Sequence, residues 1–153
     1  MKRQDRNRCE VSFLAISENE AFARMAVSAF VMPLNPTVEE LADIKTAISE
    51  AVTNAILHGY NQDGSSMVHM SCERTEETLW FCISDEGAGI ENVEQAMEPL
   101  YTSKPELERS GMGFSFMEAF MDTLQVESAP GQGTKVTMSK RIRPVADEYN
   151  AAE

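Results

Sequence analysis

Two polar residues in the first half of this chain, Glu50 and Asn54, have types and spacing that suit phosphate chemistry. They are four residues apart in a stretch with helical periodicity, which makes them neighbours on one helix face. The amide oxygen of Asn54 suits Mg²⁺, a hard cation that keeps several waters while it bridges phosphates. Glu50, one turn earlier, is placed to orient or deprotonate a hydroxyl nucleophile. Taken alone, the pair also fits an ordinary solvated helix face.

A glycine-rich run, D-E-G-A-G-I at 85–90, follows a predicted strand and suits the binding of a base. The carboxylate of Asp85 at the strand end can accept a hydrogen bond from the exocyclic amine of a buried base. This favours adenine, because guanine presents a carbonyl there and would leave the buried carboxylate without a partner. Gly87 and Gly89 permit positive φ and a close backbone approach to the ring. In isolation the run also fits a simple turn between a strand and a helix.

A third motif lies where a polar loop gives way to a predicted helix. It consists of Ser110, Gly111, Met112 and Gly113. Free backbone N–H groups and the positive end of the helix dipole favour an anion there, and glycines let phosphate oxygens approach the backbone. Lys104 and Arg109 flank the motif, and Arg109 is a candidate for stabilising charge on a transferring phosphoryl group. Both side chains also fit solvated loop charges.

The last motif is G-Q-G-T at 131–134, a turn that leads into a strand. Thr134 could supply a hydroxyl beside Asp85, although such a run signals a hairpin more often than a ligand site. The histidines and cysteines lack metal-ligand spacing or a neighbouring base, so we assign them neither metal nor nucleophile roles. They are His58, His69, Cys9, Cys72 and Cys82.

An α+β framework must position these motifs. Apolar periodicity and turn residues predict strands at 9–16, 67–73, 78–84, 124–128 and 134–138, and helices at 17–32, 37–59, 91–97 and 111–122. Two capping boxes, Ser17 with Glu20 and Thr37 with Glu40, mark the starts of the first two helices. The hairpins favour a two-layer sandwich, in which a mixed, largely antiparallel sheet carries helices on one face. The polar segment 98–110 indicates a mobile loop.

The charge balance excludes several classes of function. The chain has 13 Lys and Arg against 25 Asp and Glu, a net charge of −12, and the bases cluster at the two ends. Such an acidic body repels a phosphate backbone, so we expect no direct nucleic-acid binding. No apolar stretch is long enough to cross a bilayer and no signal peptide is evident, so we expect a cytoplasmic protein without membrane contact. The length predicts a single domain over 1–153, with flexible ends at 1–8 and 141–153.

The four motifs together resemble a known set. In this order, E-x-x-x-N, D-x-G-x-G, G-x-G and G-T resemble the nucleotide-binding boxes of the GHKL (Bergerat) ATP-binding superfamily. Longer strings, S-E-A-V-T-N-A-I-L-H-G-Y at 49–60 and T-S-K-P-E-L-E-R-S-G-M-G-F at 102–114, resemble the anti-sigma F factor family of spore-forming bacteria. N-E-A-F-A-R at 19–24 extends the likeness. The resemblance covers most of the chain and implies the Bergerat fold, with 98–110 as the lid over ATP.

The resemblance implies an ATP-dependent serine kinase that is also an anti-sigma factor. Members of the family are homodimers that bind ATP or ADP with Mg²⁺, hold the sporulation sigma factor F inactive and phosphorylate a serine of an anti-anti-sigma antagonist. Contact with both partners is implied for Glu20 and Arg24 on the first helix.

The resemblance also implies a role for each motif residue. Glu50 would be the general base, Asn54 the Mg²⁺ ligand, and Arg109 would face the γ-phosphate. Asp85 would read adenine with help from Thr134. The other residues implied to bind the nucleotide are Gly87, Gly89, Lys104, Ser110, Gly111, Met112 and Gly113.

Three alternatives share parts of this pattern. A binding-only module would use ATP to shape a partner surface without transferring phosphate, and Glu50 favours chemistry over that reading. A two-component sensor kinase needs a phosphoacceptor-histidine helix pair, which is not evident around His58 or His69. An anti-sigma kinase for a stress-response sigma factor would carry the same boxes, so the identity of the partner stays open between the two sigma factors.

Overall fold

A computed structural model describes the chain over residues 6–60, 64–98 and 113–142. Its elements confirm the predicted α+β class, with boundaries that differ from the predicted ones by a few residues. The strands are β1 (Asn7–Leu14), β2 (Met67–Arg74), β3 (Thr78–Asp85), β4 (Thr123–Ser128) and β5 (Thr134–Arg141). The α-helices are α1 (Glu18–Val31), α2 (Val38–Asn54), α3 (Val93–Ala96) and α4 (Gly113–Phe120).

The five strands form one sheet in the order β1-β2-β3-β5-β4. Each neighbouring pair is antiparallel, so the part of the chain that the structure describes contains no parallel pairing of the kind that a mixed sheet would have. β2, β3 and β5 are interior strands, and β1 and β4 are the edges. The register pairs Asp85, the last residue of β3, with Thr134, the first residue of β5. The sheet therefore brings two of the four motifs together.

The core lies between the sheet and the helices. Alternate residues of β3 and β5 are buried, namely Leu79, Phe81, Ile83, Val136 and Met138. They share one apolar cluster with Ile44, Ile48 and Val52, which are buried on α2. Burial of each such side chain stabilises the fold by about 1.5–3 kcal/mol. This cluster fixes α2, and with it the Glu50 and Asn54 motif, against the central strands.

The start of α1 differs from its prediction. Ser17 is the N-cap residue, but its backbone is in the right-handed helical region and its side chain makes no capping hydrogen bond. Capping requires an extended backbone that aims the hydroxyl at the first free amides. The carboxylate of Glu20 instead lies 2.9 Å from the guanidinium Nε of Arg24. The predicted capping box at Ser17 and Glu20 is therefore wrong.

The start of α2 has the predicted capping box. Thr37 has an extended backbone, its hydroxyl accepts a hydrogen bond from the Glu40 amide at 3.0 Å, and its own amide donates to the Glu40 carboxylate at 2.8 Å. The far end of α2 was not foreseen, because the helix continues into a π turn over Ala55–Gly59. The π turn ends at Gly59, where the helix was predicted to end, and it is wider than a regular α-helical turn.

The two caps support a matched pair of mutations. Thr37→Ala removes a hydroxyl that satisfies a helix amide, so we expect it to lower the free energy of unfolding by about 1 kcal/mol. Ser17→Ala removes no capping bond, so we expect a loss below about 0.5 kcal/mol. Urea unfolding followed by circular dichroism measures both. Equal losses for the two variants would contradict the assignment of the caps.

Candidate functional site

A cavity of about 860 Å³ opens beside the interior strands. It is bounded by the end of α2, the end of β3, residues 89–98, the start of α4 and the start of β5. Its volume lies within the range of about 300–1,000 Å³ that is usual for sites that bind small molecules. The predicted site residues that line it are Asn54, Asp85, Gly89, Gly113 and Thr134. Four separate sequence motifs thus meet at one cavity.

Asp85 is the most unusual group in this cavity. Its side chain is 7% exposed, and among the described residues it is the only buried charged side chain. Its Oδ1 accepts a hydrogen bond from the Gly87 amide at 2.9 Å. Burial raises the pKa of Asp85 above its ordinary value, and hydrogen bonds from the amides of Gly87 and Thr134 partly offset that rise. A buried carboxylate at a cavity wall can still accept a hydrogen bond from a ligand.

Close backbone contacts hold the loop after Asp85. A Cβ atom at Gly87 would collide with the carbonyl of Gly59, and the Ala88 amide donates to that same carbonyl at 2.7 Å. Gly89 has a φ of 76°, and a Cβ there would collide with the Ala129 carbonyl. Gly87 is not among the residues that line the cavity. Its small size therefore serves contact with the protein backbone, where the sequence had predicted an approach to the ligand ring.

The Glu50 and Asn54 pair faces the start of α4. A Cβ atom built on Gly113 would lie 3.2 Å from Asn54 Nδ2 and 3.3 Å from Glu50 Oε2. Neither side chain is fully exposed, so the alternative of a solvated helix face does not describe the pair. Both polar groups lie beside the first residue of a helix, where backbone amides favour an anion.

Thr134 lies within a small network of hydrogen bonds. Its hydroxyl is 2.9 Å from that of Ser128, which donates to the Gly133 carbonyl at 2.8 Å. The Ser128 hydroxyl also accepts from the Ile90 amide at 2.7 Å. The turn between β4 and β5 is thereby fastened to the loop that follows Asp85. The predicted hairpin is present, and its register places Thr134 opposite Asp85, while the Thr134 hydroxyl contacts Ser128.

Several predicted site residues lie outside the described residues. They are Lys104, Arg109, Ser110, Gly111 and Met112. Of the predicted lid at 98–110 the structure describes only Glu98, which lines the cavity. The roles of the five residues and of the lid therefore remain predictions from the sequence.

Glu20 and Arg24 lie apart from the cavity. They form an ion pair one turn apart on α1, and neither lines the cavity. Beside them on the same helix, Phe22 is 52% exposed and Met25 is 64% exposed. An exposed mixture of charged and apolar side chains is a usual composition for a protein interface.

Three residues that fix the geometry of the cavity were missed in the sequence. Gly59 contacts the Asp85 carboxylate so closely that a Cβ atom would lie 2.8 Å from its Cγ. Tyr60 binds the loop after Asp85, and Ser128 binds Thr134. The only signal for Gly59 was its position at a predicted helix end, and no spacing pattern distinguishes Tyr60 or Ser128 from other polar residues.

The residues present fit a nucleotide with Mg²⁺. Apolar walls from Ala55, Ile83 and Val136 suit a base, and the carboxylate of Asp85 is a polar group of the kind that can fix its orientation. Protein Mg²⁺ sites commonly use one or two side chains together with substrate phosphates, so the single amide of Asn54 is a fitting ligand. Within the described ranges, no three His, Cys, Asp or Glu side chains gather as a metal site, and no helix has the length and apolarity to cross a membrane.

Comparison with known proteins gives a consistent set of relatives. Residues 15–140 match the family described as histidine kinase-like ATPase domain. The chain is 54% identical to an anti-sigma F factor of Clostridium beijerinckii over 140 residues, which is 92% of this chain and 98% of that protein. It is 58% identical to one of Clostridium perfringens over 136 residues, which is 89% of this chain and 97% of that protein. An anti-sigma F factor of Oceanobacillus iheyensis is 50% identical over 145 residues, 95% of this chain and 99% of its own.

A solved structure supports the fold. The crystal structure of the RsbU and RsbW domains of a Mycobacterium tuberculosis protein superposes with a TM-score of 0.64 and 19% sequence identity. The match covers 90% of this chain and 33% of that longer chain. At this identity the likeness concerns the arrangement of helices and strands alone.

The raised pKa of Asp85 predicts a pH dependence of stability. Because the folded-state pKa lies above the ordinary value of 3.8, the folded chain holds this proton more tightly than the unfolded chain does. This contribution to stability is therefore present at low pH and is lost as the pH rises through the window above 3.8. Asp85→Asn removes the titrating group. We expect the free energy of unfolding of the parent to fall relative to that of Asp85→Asn as the pH rises, measured by urea unfolding. A difference that stays flat or grows in favour of the parent would contradict this.

Proposed function

Because the chain belongs to the anti-sigma F factor family and carries its histidine kinase-like ATPase domain, we propose that it is an ATP-dependent protein serine kinase that inhibits sigma factor F. The observation that carries the proposal is the buried carboxylate of Asp85, paired in register with Thr134 at the wall of the cavity. The proposed phosphate acceptor is a serine of an anti-anti-sigma antagonist.

Recognition of adenine follows from the state of Asp85. Burial raises the pKa of Asp85, and hydrogen bonds from the backbone amides of Gly87 and Thr134 partly offset that rise. In its ionised form, in which we propose that it binds the base, the carboxylate accepts hydrogen bonds but donates none. The exocyclic amine of adenine is a donor and satisfies this group. The carbonyl of guanine at the equivalent position would face a desolvated acceptor, which costs binding free energy. The proposed nucleotides are therefore ATP and ADP.

Phosphoryl transfer depends chiefly on positioning and on charge stabilisation. Glu50 and Asn54 lie on one side of the first residue of α4, so both are close to the proposed place of the phosphates. Bound Mg²⁺, held by Asn54 and by phosphate oxygens, would neutralise charge on the transferred group. Glu50 would orient the serine hydroxyl and take its proton.

The proposal includes residues that lie beyond the described ranges. Lys104 and Arg109 are the two basic residues of the segment 98–110, in a chain whose net charge is negative. They would offset phosphate charge. Ser110, Gly111 and Met112 would complete the phosphate-binding turn that leads into α4. The segment 98–110 would act as the lid of a single ATP-binding domain. These assignments rest on the sequence motif.

The partner surface is proposed on α1. The ion pair of Glu20 with Arg24 holds the guanidinium in place beside exposed apolar residues, and Arg24 is still 41% exposed. We assign this surface to sigma factor F and to the antagonist, so that the two proteins would compete for it. The homodimer, which rests on the family resemblance, and the cytoplasmic location belong to the same proposal.

Nucleotide binding is tested first. Asp85→Ala removes the base-reading acceptor, so we expect the affinity for ATP to fall about 10- to 100-fold. Glu127→Ala, a change at an exposed residue of edge strand β4, is the control and should bind ATP as the parent does. Isothermal titration calorimetry measures all three proteins. Equal affinities for Asp85→Ala and the parent would refute adenine recognition by this carboxylate.

Kinase chemistry is tested separately. Glu50→Gln keeps the size of the side chain but removes its basicity, so we expect transfer to fall about 10²- to 10⁴-fold while ATP still binds. Glu39→Gln, the same change in the first turn of α2, is the control. Transfer of labelled γ-phosphate to a small serine-containing protein from cell extract provides the measurement. Unchanged transfer in Glu50→Gln would exclude its role as base, and absence of transfer in the parent would favour an ATP-gated binding module.

A further inference from the structure

Tyr60 lies at a backbone irregularity next to the candidate site. It follows the π turn at Ala55–Gly59, and its amide donates to the Ala55 carbonyl, five residues earlier, at 3.1 Å. A π turn holds one more residue than a regular helical turn, which rotates whatever follows it relative to the helix. Here the rotation brings Gly59 against the Asp85 carboxylate. The phenol of Tyr60, the residue after this turn, contacts the loop that follows Asp85.

The phenol of Tyr60 joins two separate segments. It accepts a hydrogen bond from the Glu86 amide at 2.6 Å and donates one to the Met67 carbonyl at 2.7 Å. Met67 is the first residue of β2, and Glu86 directly follows Asp85 at the end of β3. The ring therefore links the helix end, the start of one strand and the end of another.

Three successive amides after Asp85 are all occupied. The Glu86 amide donates to Tyr60, the Gly87 amide to Asp85 itself, and the Ala88 amide to the Gly59 carbonyl. Two of the three acceptors come from adjacent residues, Gly59 and Tyr60. Gly59 and Tyr60 thus hold the amides on either side of Gly87, and the Gly87 amide in turn binds the Asp85 carboxylate.

We propose that Tyr60 is a positioning residue that aims the Asp85 carboxylate at the exocyclic amine of the bound purine. This inference rests on the proposed function, since it assumes that Asp85 reads the base. Tyr60 acts through the Glu86 amide and is not among the residues that line the cavity. Its contribution is preorganisation, because a carboxylate already held in the binding direction loses less freedom when the ligand arrives.

A Tyr60 that only stabilised the fold would affect the melting temperature and not the recognition of the ligand's amine group. Glu86 is exposed and Met67 is 37% exposed, so water can replace the phenol at both groups when the hydroxyl is removed. Removal of the hydroxyl should therefore change the melting temperature little. Its effect should appear in the recognition of the amine group, which depends on where the carboxylate points.

The experiment compares two triphosphates with Tyr60→Phe. ATP carries the exocyclic amine, and purine riboside triphosphate lacks it. We expect Tyr60→Phe to weaken ATP about three- to tenfold and to leave the amine-free nucleotide nearly unchanged. In an Asp85→Asn background the same change should have no further effect on ATP. Thr123→Val, which removes a hydroxyl bonded to Ser139 elsewhere in the sheet, is the control and should alter neither affinity.

Each other outcome overturns the inference. Equal weakening of both triphosphates, or the same loss in the Asp85→Asn background, would show that Tyr60 does not act through the carboxylate. If ATP does not bind the parent chain, the proposed function and this inference both fail. Amide hydrogen exchange of the unmodified chain gives a test that needs no variant. The Glu86 amide should exchange slowly despite its exposed residue, and fast exchange would refute the hydrogen bond to Tyr60.

Discussion

The structure depends on one unfavourable placement, a carboxylate buried at the end of an interior strand. Removing a charged carboxylate from water costs several kcal/mol unless hydrogen-bond donors surround it. Here the donors are backbone amides, from Gly87 and from Thr134. A Cβ atom at Gly59 would lie 2.8 Å from the carboxylate Cγ, and one at Gly87 would collide with the Gly59 carbonyl, so glycine at both positions permits this close packing. The helix end, the loop and the strand pair all meet at this single group: Gly59 contacts the carboxylate, and the loop and β5 each supply a donor.

Most elements could be predicted from the sequence, because their signals are local. Alternation defined the strands, and the Thr37 cap was correct because its extended backbone suits the hydroxyl. The equivalent pattern at Ser17 failed, since spacing alone does not set the backbone angles of the cap residue. The π turn was missed for a related reason. The turn contacts the end of β3, which lies far later in the chain, so the residues around the turn carry no local signal of that contact.

The candidate site was predictable where a motif supplies the chemical group itself. Asp85, Asn54 and Thr134 meet at the cavity, as their residue types suggested. Supporting groups were not predictable, because Tyr60 and Ser128 act through hydrogen bonds to amides and hydroxyls far away in sequence. Gly87 shows the limit most directly. The sequence offered ligand approach as the reason for this glycine, but the close neighbour that requires it is the Gly59 carbonyl.

The strand order also limits how thermal motion reaches the cavity. β3 and β5 are bordered on both sides by other strands, whereas β1 and β4 each have one neighbour. Fraying begins at outer strands, where fewer bonds must break. The first strand can therefore fray while β3 and β5, which line the cavity, keep their pairing. Insertions or substitutions near the amino terminus should consequently be tolerated more readily than comparable changes in the middle of the sheet.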